Sequence, residues 1–189
     1  MPKRSNTRYA VLGLLTIEPM SGYDIKKMVD TILRHFWNES YGRLYPTLKE
    51  LEAEGLATSS VEPGDGKPDR IVYSITDAGR DVLAEWLTEP AEPPRPRLEI
   101  LLKLFFAYNV PVEESIEQIR RQREAWIQAA PMFDGFERMV AESETDPNKR
   151  RSYRLTIMHG RIVNEARIRW CDEALDVLAS DLPKTRGGS

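Results

Sequence analysis

Three observations predict a mainly α-helical chain: an N-terminal winged helix-turn-helix with a two-stranded wing, followed by a C-terminal helical dimerisation domain. Within the first 89 residues, apolar stripes at helical spacing give way to a period-two hairpin and then a fourth helix. Prolines at 90, 93, 94 and 96 then interrupt the chain with a stretch that neither helix nor central strand tolerates. Beyond them the sequence reads as helix throughout. The expected boundaries are 1–89 for the winged domain, 90–96 for a Pro-rich extended linker, 97–183 for the helical domain and 184–189 for a frayed tail.

The elements follow in order. Thr7 to Thr16 carries Tyr9, Leu12 and Leu15 on one side and is ended by Pro19. Ser21 suits the N-cap of a second helix whose apolar stripe is Ile25, Met28, Val29, Ile32, Leu33 and Phe36. A third helix is predicted from about Ser40, with Leu44, Leu48 and Leu51 inward and Gly55 just past its end. Pro46 lacks the N–H that would bond the carbonyl of Gly42, so its first turn is expected to be bent or irregular. Ala57 to Glu62 and Arg70 to Ile75 form the hairpin, with Ile71, Tyr73 and Ile75 on one face and a Gly- and Pro-rich turn over 63–68. Thr76 caps a fourth helix with Asp77 at its positive end and Val82, Leu83, Trp86 and Leu87 inside.

Past the linker, Arg97 to Tyr108 is apolar on nearly every side, a pattern that asks for burial all round. A long helix from Val112 to about Glu144 has Ile116, Ile119, Trp126, Ala130, Phe133, Phe136 and Val140 as its inner stripe, and Pro131 is expected to kink or break it. Asp146 and Pro147 open a last helix to about Ser180, roughly 50 Å long at ~1.5 Å per residue. Its stripe is Tyr153, Ile157, Val163, Trp170, Ala174 and Val177. A helix longer than its own domain needs a partner, so this half is predicted to be a dimerisation arm. Leu101, Leu102, Phe105, Ile157, Val163, Trp170 and Val177 are its candidate contacts.

Composition narrows the function. The chain of 189 residues is 41% apolar and 30% charged, with a mean hydropathy of -0.49, which suits a folded core. No apolar run approaches the ~20 residues of a membrane helix. The start leads into no signal-peptide core, a single cysteine precludes an internal disulfide, and two histidines leave little for a zinc site. A cytoplasmic protein with no membrane partner, no metal and no cofactor is expected. Net charge is -3 and the pI about 5.6, which argues against coating nucleic acid by bulk charge. Yet residues 1–50 carry eight Lys/Arg against five Asp/Glu, and phosphate contact depends on local placement.

The third helix holds the most informative side chains. Its polar face is expected to carry Arg43, Thr47, Glu50 and Glu54, with Ser40, Tyr41 and Tyr45 crowding hydrogen-bonding groups at its N-terminal end. A recognition helix offers that end to base edges in the major groove, and arginine suits a bidentate contact to guanine. The same pattern also describes an ordinary amphipathic helix with a solvated face. Lys67 and Arg70 in the wing could meet phosphates or the minor groove, and Lys3, Arg4 and Arg8 could form a basic arm. Each group has a bland reading too, and it is their order along the chain that favours DNA.

Enzymatic sets fail on geometry. Cys171 and His159 lie ~18 Å apart along one helix, so they cannot pair as nucleophile and base. Lys149, Arg150, Arg151 and Arg154 read as a solvated face balanced by nearby acids. Trp86, Trp126 and Trp170 fall on inward stripes; with Phe105 they could also wall a pocket for a flat apolar effector. A winged-helix docking module that never touches DNA is the alternative reading.

The run from Gly22 to Ile25, then Phe36 to Leu48, then Leu51 to Leu56, resembles the PadR family of bacterial transcriptional regulators, as does Tyr73 to Gly79 after the wing. The second half is similar to the helical domain of longer PadR-like proteins related to virulence activators. The resemblance implies a homodimeric repressor on a pseudo-palindromic double-stranded operator, released in some members by phenolic acids, drugs or other planar aromatics. It places Tyr41, Arg43, Tyr45 and Lys49 in the recognition helix and Lys67 and Arg70 in the wing. Tyr23 is counted with the candidate DNA contacts.

Overall fold

Ser21 shows how directly local chemistry sets the first elements. Its hydroxyl accepts the Asp24 N–H at 3.2 Å while the Asp24 carboxylate accepts the Ser21 N–H at 3.2 Å, a reciprocal capping box that starts α2 (Gly22–Thr31). The computed structural model describes residues 6–33, 36–37, 41–63, 69–93 and 97–181, save the side chains of Tyr41 and Asp181. Lys3, Arg4, Ser40 and Lys67 therefore lie outside the described residues. Those described fall into two compact units that divide after Pro93.

In the first unit α1 (Thr7–Leu15) precedes β1 (Met20–Ser21) and α2. A 3-10 turn over Tyr41–Arg43 leads into α3 (Leu44–Ala53), then come β2 (Ala57–Glu62), β3 (Arg70–Ile75) and α4 (Asp77–Thr88). The irregular start of α3 agrees with the expectation from Pro46. The α-helix begins at Leu44, which puts proline in the first turn, where an N–H has no intrahelical partner anyway. Gly55 ends α3 with φ 71, and the Thr76 hydroxyl accepts the Gly79 N–H at 3.0 Å to start α4.

The sheet has three strands, not two, in the order β1-β3-β2, all antiparallel. β1 pairs Met20 with Tyr73 and Ser21 with Val72, and two residues are too few to leave a periodic signal. Because β3 is central, Val72 and Tyr73 are both buried while Ile71, toward the wing tip, is 52% exposed. The simple alternation of Ile71, Tyr73 and Ile75 is corrected accordingly. Leu12, Ile25, Leu48 and Leu51 are the innermost core residues, with Leu44, Leu83 and Tyr73 around them. Phe36 falls beyond α2 and is exposed, and Leu87 in the last turn of α4 is exposed as well.

The second unit is a helical hairpin with a short helix before it. α5 (Glu99–Phe105) and a 3-10 turn (Ala107–Asn109) precede α6 (Val112–Ser143) and α7 (Pro147–Asp181). α6 is one continuous helix through Pro131, so of the expected kink or break the break does not occur. The ring costs an intrahelical bond, of order 3 kcal/mol, but a seam from Ile116 and Ile119 to Val140 holds both halves against α7. Asp146 Oδ1 accepts the Asn148 N–H at 2.8 Å to start α7. Gly160 sits so close to Phe133 that a Cβ would lie 2.6 Å from the ring. α5 has no buried residue in the single chain, so the burial its sequence asks for is not met within one copy. Among the described residues no helix is long and apolar enough to cross a membrane.

Candidate nucleic-acid interface

Leu44, Thr47, Leu48 and Leu51 recur at the i, i+3, i+4, i+7 spacing that faces a core, and all four are buried. Thr47 is thus corrected from an outward contact to an inner residue of α3, 4% exposed. The face left to solvent carries Arg43, Tyr45, Pro46, Lys49 and Glu50. Arg43 occupies the N-cap position of α3 and makes no side-chain hydrogen bond or ion pair among the described residues. Its guanidinium thus stands at the solvent-facing N-terminal end of the helix.

Tyr45 is 56% exposed and its ring lies over Gly22, where a Cβ would come within 2.6 Å of it. Glycine at that position lets α3 close onto the first turn of α2, whose next residue, Tyr23, is 71% exposed. The outward groups of α3 and the start of α2 so form one polar surface.

The wing base behaves differently. Arg70 Nε donates to Glu62 Oε2 at 2.9 Å, across the register that pairs these two residues, and its Nη1 lies 3.7 Å from Asp24 Oδ2. Two carboxylates thus already face the cation expected to meet phosphate. The Glu62 hydrogen bond and charge, with Asp24 behind them, hold Arg70 more firmly protonated than usual. Asp24 in turn is held below the ordinary aspartate range, first by the Ser21 hydroxyl, against the opposing cost of burial. Arg8, considered for the basic arm, is instead tied to Glu54 at 2.7 Å with its side chain only 13% exposed. No local pattern could have revealed that link, since 46 residues separate the pair.

In the second unit Trp126 and Trp170 meet edge to face at 6.3 Å. They border an apolar cavity of about 280 Å³ together with Leu98, Leu101 and Val163. The Arg167 guanidinium, which also lines the cavity, stands over the Trp126 ring at 5.6 Å from its centroid. Trp86 belongs to the other unit, stacked on Tyr9 at 4.5 Å. Phe105 is 74% exposed and packs edge-on to Phe106. Leu101, Leu102 and Val177 are exposed, while Ile157, Val163 and Trp170 are half-buried.

A helix-turn-helix with a winged sheet, its third helix turning arginine, tyrosine and lysine outward, defines a winged-helix transcriptional regulator. Residues 11–85 match the transcriptional regulator PadR-like family and residues 96–179 match the virulence activator alpha C-terminal domain. The chain thus carries a PadR-like regulator domain followed by a virulence-activator C-terminal domain. The negative transcriptional regulator PadR of Bacillus subtilis is 29% identical over 139 residues, 72% of this chain and 76% of that protein. Its crystal structure with operator DNA superposes with a TM-score of 0.79 at 25% identity, covering 90% of this chain and 98% of the other. Its structure with p-coumaric acid gives a TM-score of 0.74 at 25% identity, covering 93% and 99%.

Proposed function

We propose that the chain is a homodimeric repressor that reads a pseudo-palindromic operator near its own gene and releases it on binding a small aromatic effector. The observation that carries this reading is Arg43 at the solvent-facing start of α3, without a side-chain partner among the described residues. Arg43, Tyr45 and Lys49 would enter the major groove, Tyr41 beside them, and Tyr23 would meet the adjacent backbone. The operator complex of the Bacillus subtilis relative supports that mode. The exposed apolar face of α5, with Leu101, Leu102 and Phe105, would be covered by a second copy and would set the distance between two recognition helices. The p-coumaric acid complex supports an aromatic acid as effector, and the cavity beside Trp126 and Trp170 would take its ring, with Arg167 near its carboxylate. Such a protein works in the cytoplasm by binding alone, with no catalytic step.

Fluorescence anisotropy on the upstream intergenic DNA against a scrambled duplex, across a salt series, tests the reading. The native fragment should bind more tightly and keep that advantage at ~150 mM salt. Arg43→Ala should weaken specific binding by about 1–3 kcal/mol while circular dichroism stays unchanged. Unaltered operator affinity in that variant removes Arg43 from base reading; absence of binding to either duplex at low salt favours a docking module.

A further inference from the structure

The basic cluster at the start of α7 is more than a solvated face. Arg150, Arg151, Arg154 and Arg161 recur at helical spacing and border one open cavity of about 390 Å³ against Glu137 of α6. Leu155 and Met158 supply its apolar wall, both more than half exposed to solvent. Four cations thus line the cavity with a single carboxylate, and that carboxylate is already taken. Glu137 Oε2 accepts from Arg161 at 2.6 Å, and Asp134 accepts from the same nitrogen at 2.9 Å.

Among the described residues no carboxylate pairs with the other three guanidiniums. Arg150 donates to the Glu144 carbonyl and Arg151 to Asn148 Oδ1 at 2.9 Å, both neutral acceptors. Arg154 has no partner among the described residues. Elsewhere on the hairpin, Arg121 pairs with Glu117 and Arg123 with Asp172, so like charge is not gathered along its whole length. Three guanidiniums without a carboxylate partner among the described residues, beside a hydrophobic wall in a concavity of ligand size, suit a ligand that is charged at one end and apolar at the other.

We propose that this cavity binds a small amphiphilic carboxylate, its head held by Arg151 and Arg154 and its apolar body laid on Leu155 and Met158. The site is separate from the tryptophan cavity and does not rest on the operator reading, since ligand binding alone reports it. A bare phosphate shares the head chemistry but lacks the body.

Isothermal titration of the full chain with octanoate, the neutral 1-octanol and inorganic phosphate tests the assignment. Octanoate should bind saturably, and the alcohol and phosphate should each bind at least ~tenfold more weakly. The exposed double substitution Arg151→Ala with Arg154→Ala should cost at least ~tenfold in octanoate affinity, whereas Arg121→Ala, which borders neither cavity, should leave it unchanged. Circular dichroism confirms that both variants are folded. Absence of octanoate binding, binding that survives the double substitution, loss through Arg121→Ala, or equal affinity for phosphate would each overturn the proposal. None of these outcomes bears on DNA affinity, so this site and the operator reading fail independently.

Discussion

Asn164 on α7 donates its side-chain amide to the backbone carbonyl of Trp126 on α6 at 3.0 Å, and Asn164 is only 5% exposed. Seven residues further along α7 the buried Cys171 thiol approaches the Ile119 carbonyl, seven residues back on α6, at 3.7 Å. The two contacts share one antiparallel register, so polar side chains reaching backbone carbonyls fix how the hairpin is aligned. An apolar seam alone would tolerate sliding; a buried amide does not.

Removing that amide has a cost that depends on what replaces it. Asn164→Ala should lower stability by about 1–2 kcal/mol, the range for a lost buried hydrogen bond. Asn164→Asp should cost more, because a buried carboxylate would face a carbonyl with no donor between them. Urea unfolding followed by circular dichroism ranks the two, and an aspartate variant as stable as the alanine one would refute the argument.

Gly79 lies against the Leu56 carbonyl, where any Cβ would overlap the oxygen, and Ile75 Cγ1 closes the other side at 2.9 Å. Backbone cannot yield as a side-chain tip can. Gly79→Ala should destabilise the winged unit by about 2 kcal/mol or more, read as a lower urea midpoint with an unchanged slope.

Arg70 is occupied by Glu62 and Asp24, so its value to DNA depends on releasing it. Glu62→Gln should tighten non-specific binding and steepen the dependence of log affinity on log salt by up to ~0.9, one phosphate contact. Arg70→Ala in the otherwise unchanged chain should move that slope much less. Anisotropy titrations at several salt concentrations separate the two.

Acid should act through Asp24. Its pKa is lowered on folding, chiefly by the Ser21 hydroxyl, so its contribution is present above the ordinary aspartate value near about pH 4 and is lost as pH falls through the lower folded value. Stability measured from pH 5 to pH 2 should therefore fall less steeply in Asp24→Asn than in the parent chain. The partial exposure of the pair with Arg70 keeps this share small. Identical acid profiles would place the acid-sensitive groups elsewhere.

How much of this the sequence disclosed follows from the range of the forces involved. The capping residues Ser21, Thr76 and Asp146, the left-handed Gly55 and the inner stripe of α6 act within a few residues, and each was legible. The position of Thr47 was legible as well, since its spacing from Leu44 and Leu51 puts it on the inner face, but its polar side chain argued for the outer one. What could not be read were partnerships made by tertiary approach. These include β1 beside β3, Arg8 with Glu54, Asn164 with Trp126, and the two carboxylates that converge on Arg70. Pro131 belongs with them, because local chemistry allows a break as well as a kink, and packing against α7 keeps the helix continuous.

The length of α7 has a mechanical consequence. Over 35 residues, at ~1.5 Å each, it is a stiff rod roughly 50 Å long. Tilting such a rod by about 5° carries its far end through about 4 Å, more than the ~3.4 Å rise of one base pair. The hairpin is therefore a lever. A side chain that shifts by a fraction of an ångström near its pivot moves its far end several times as far.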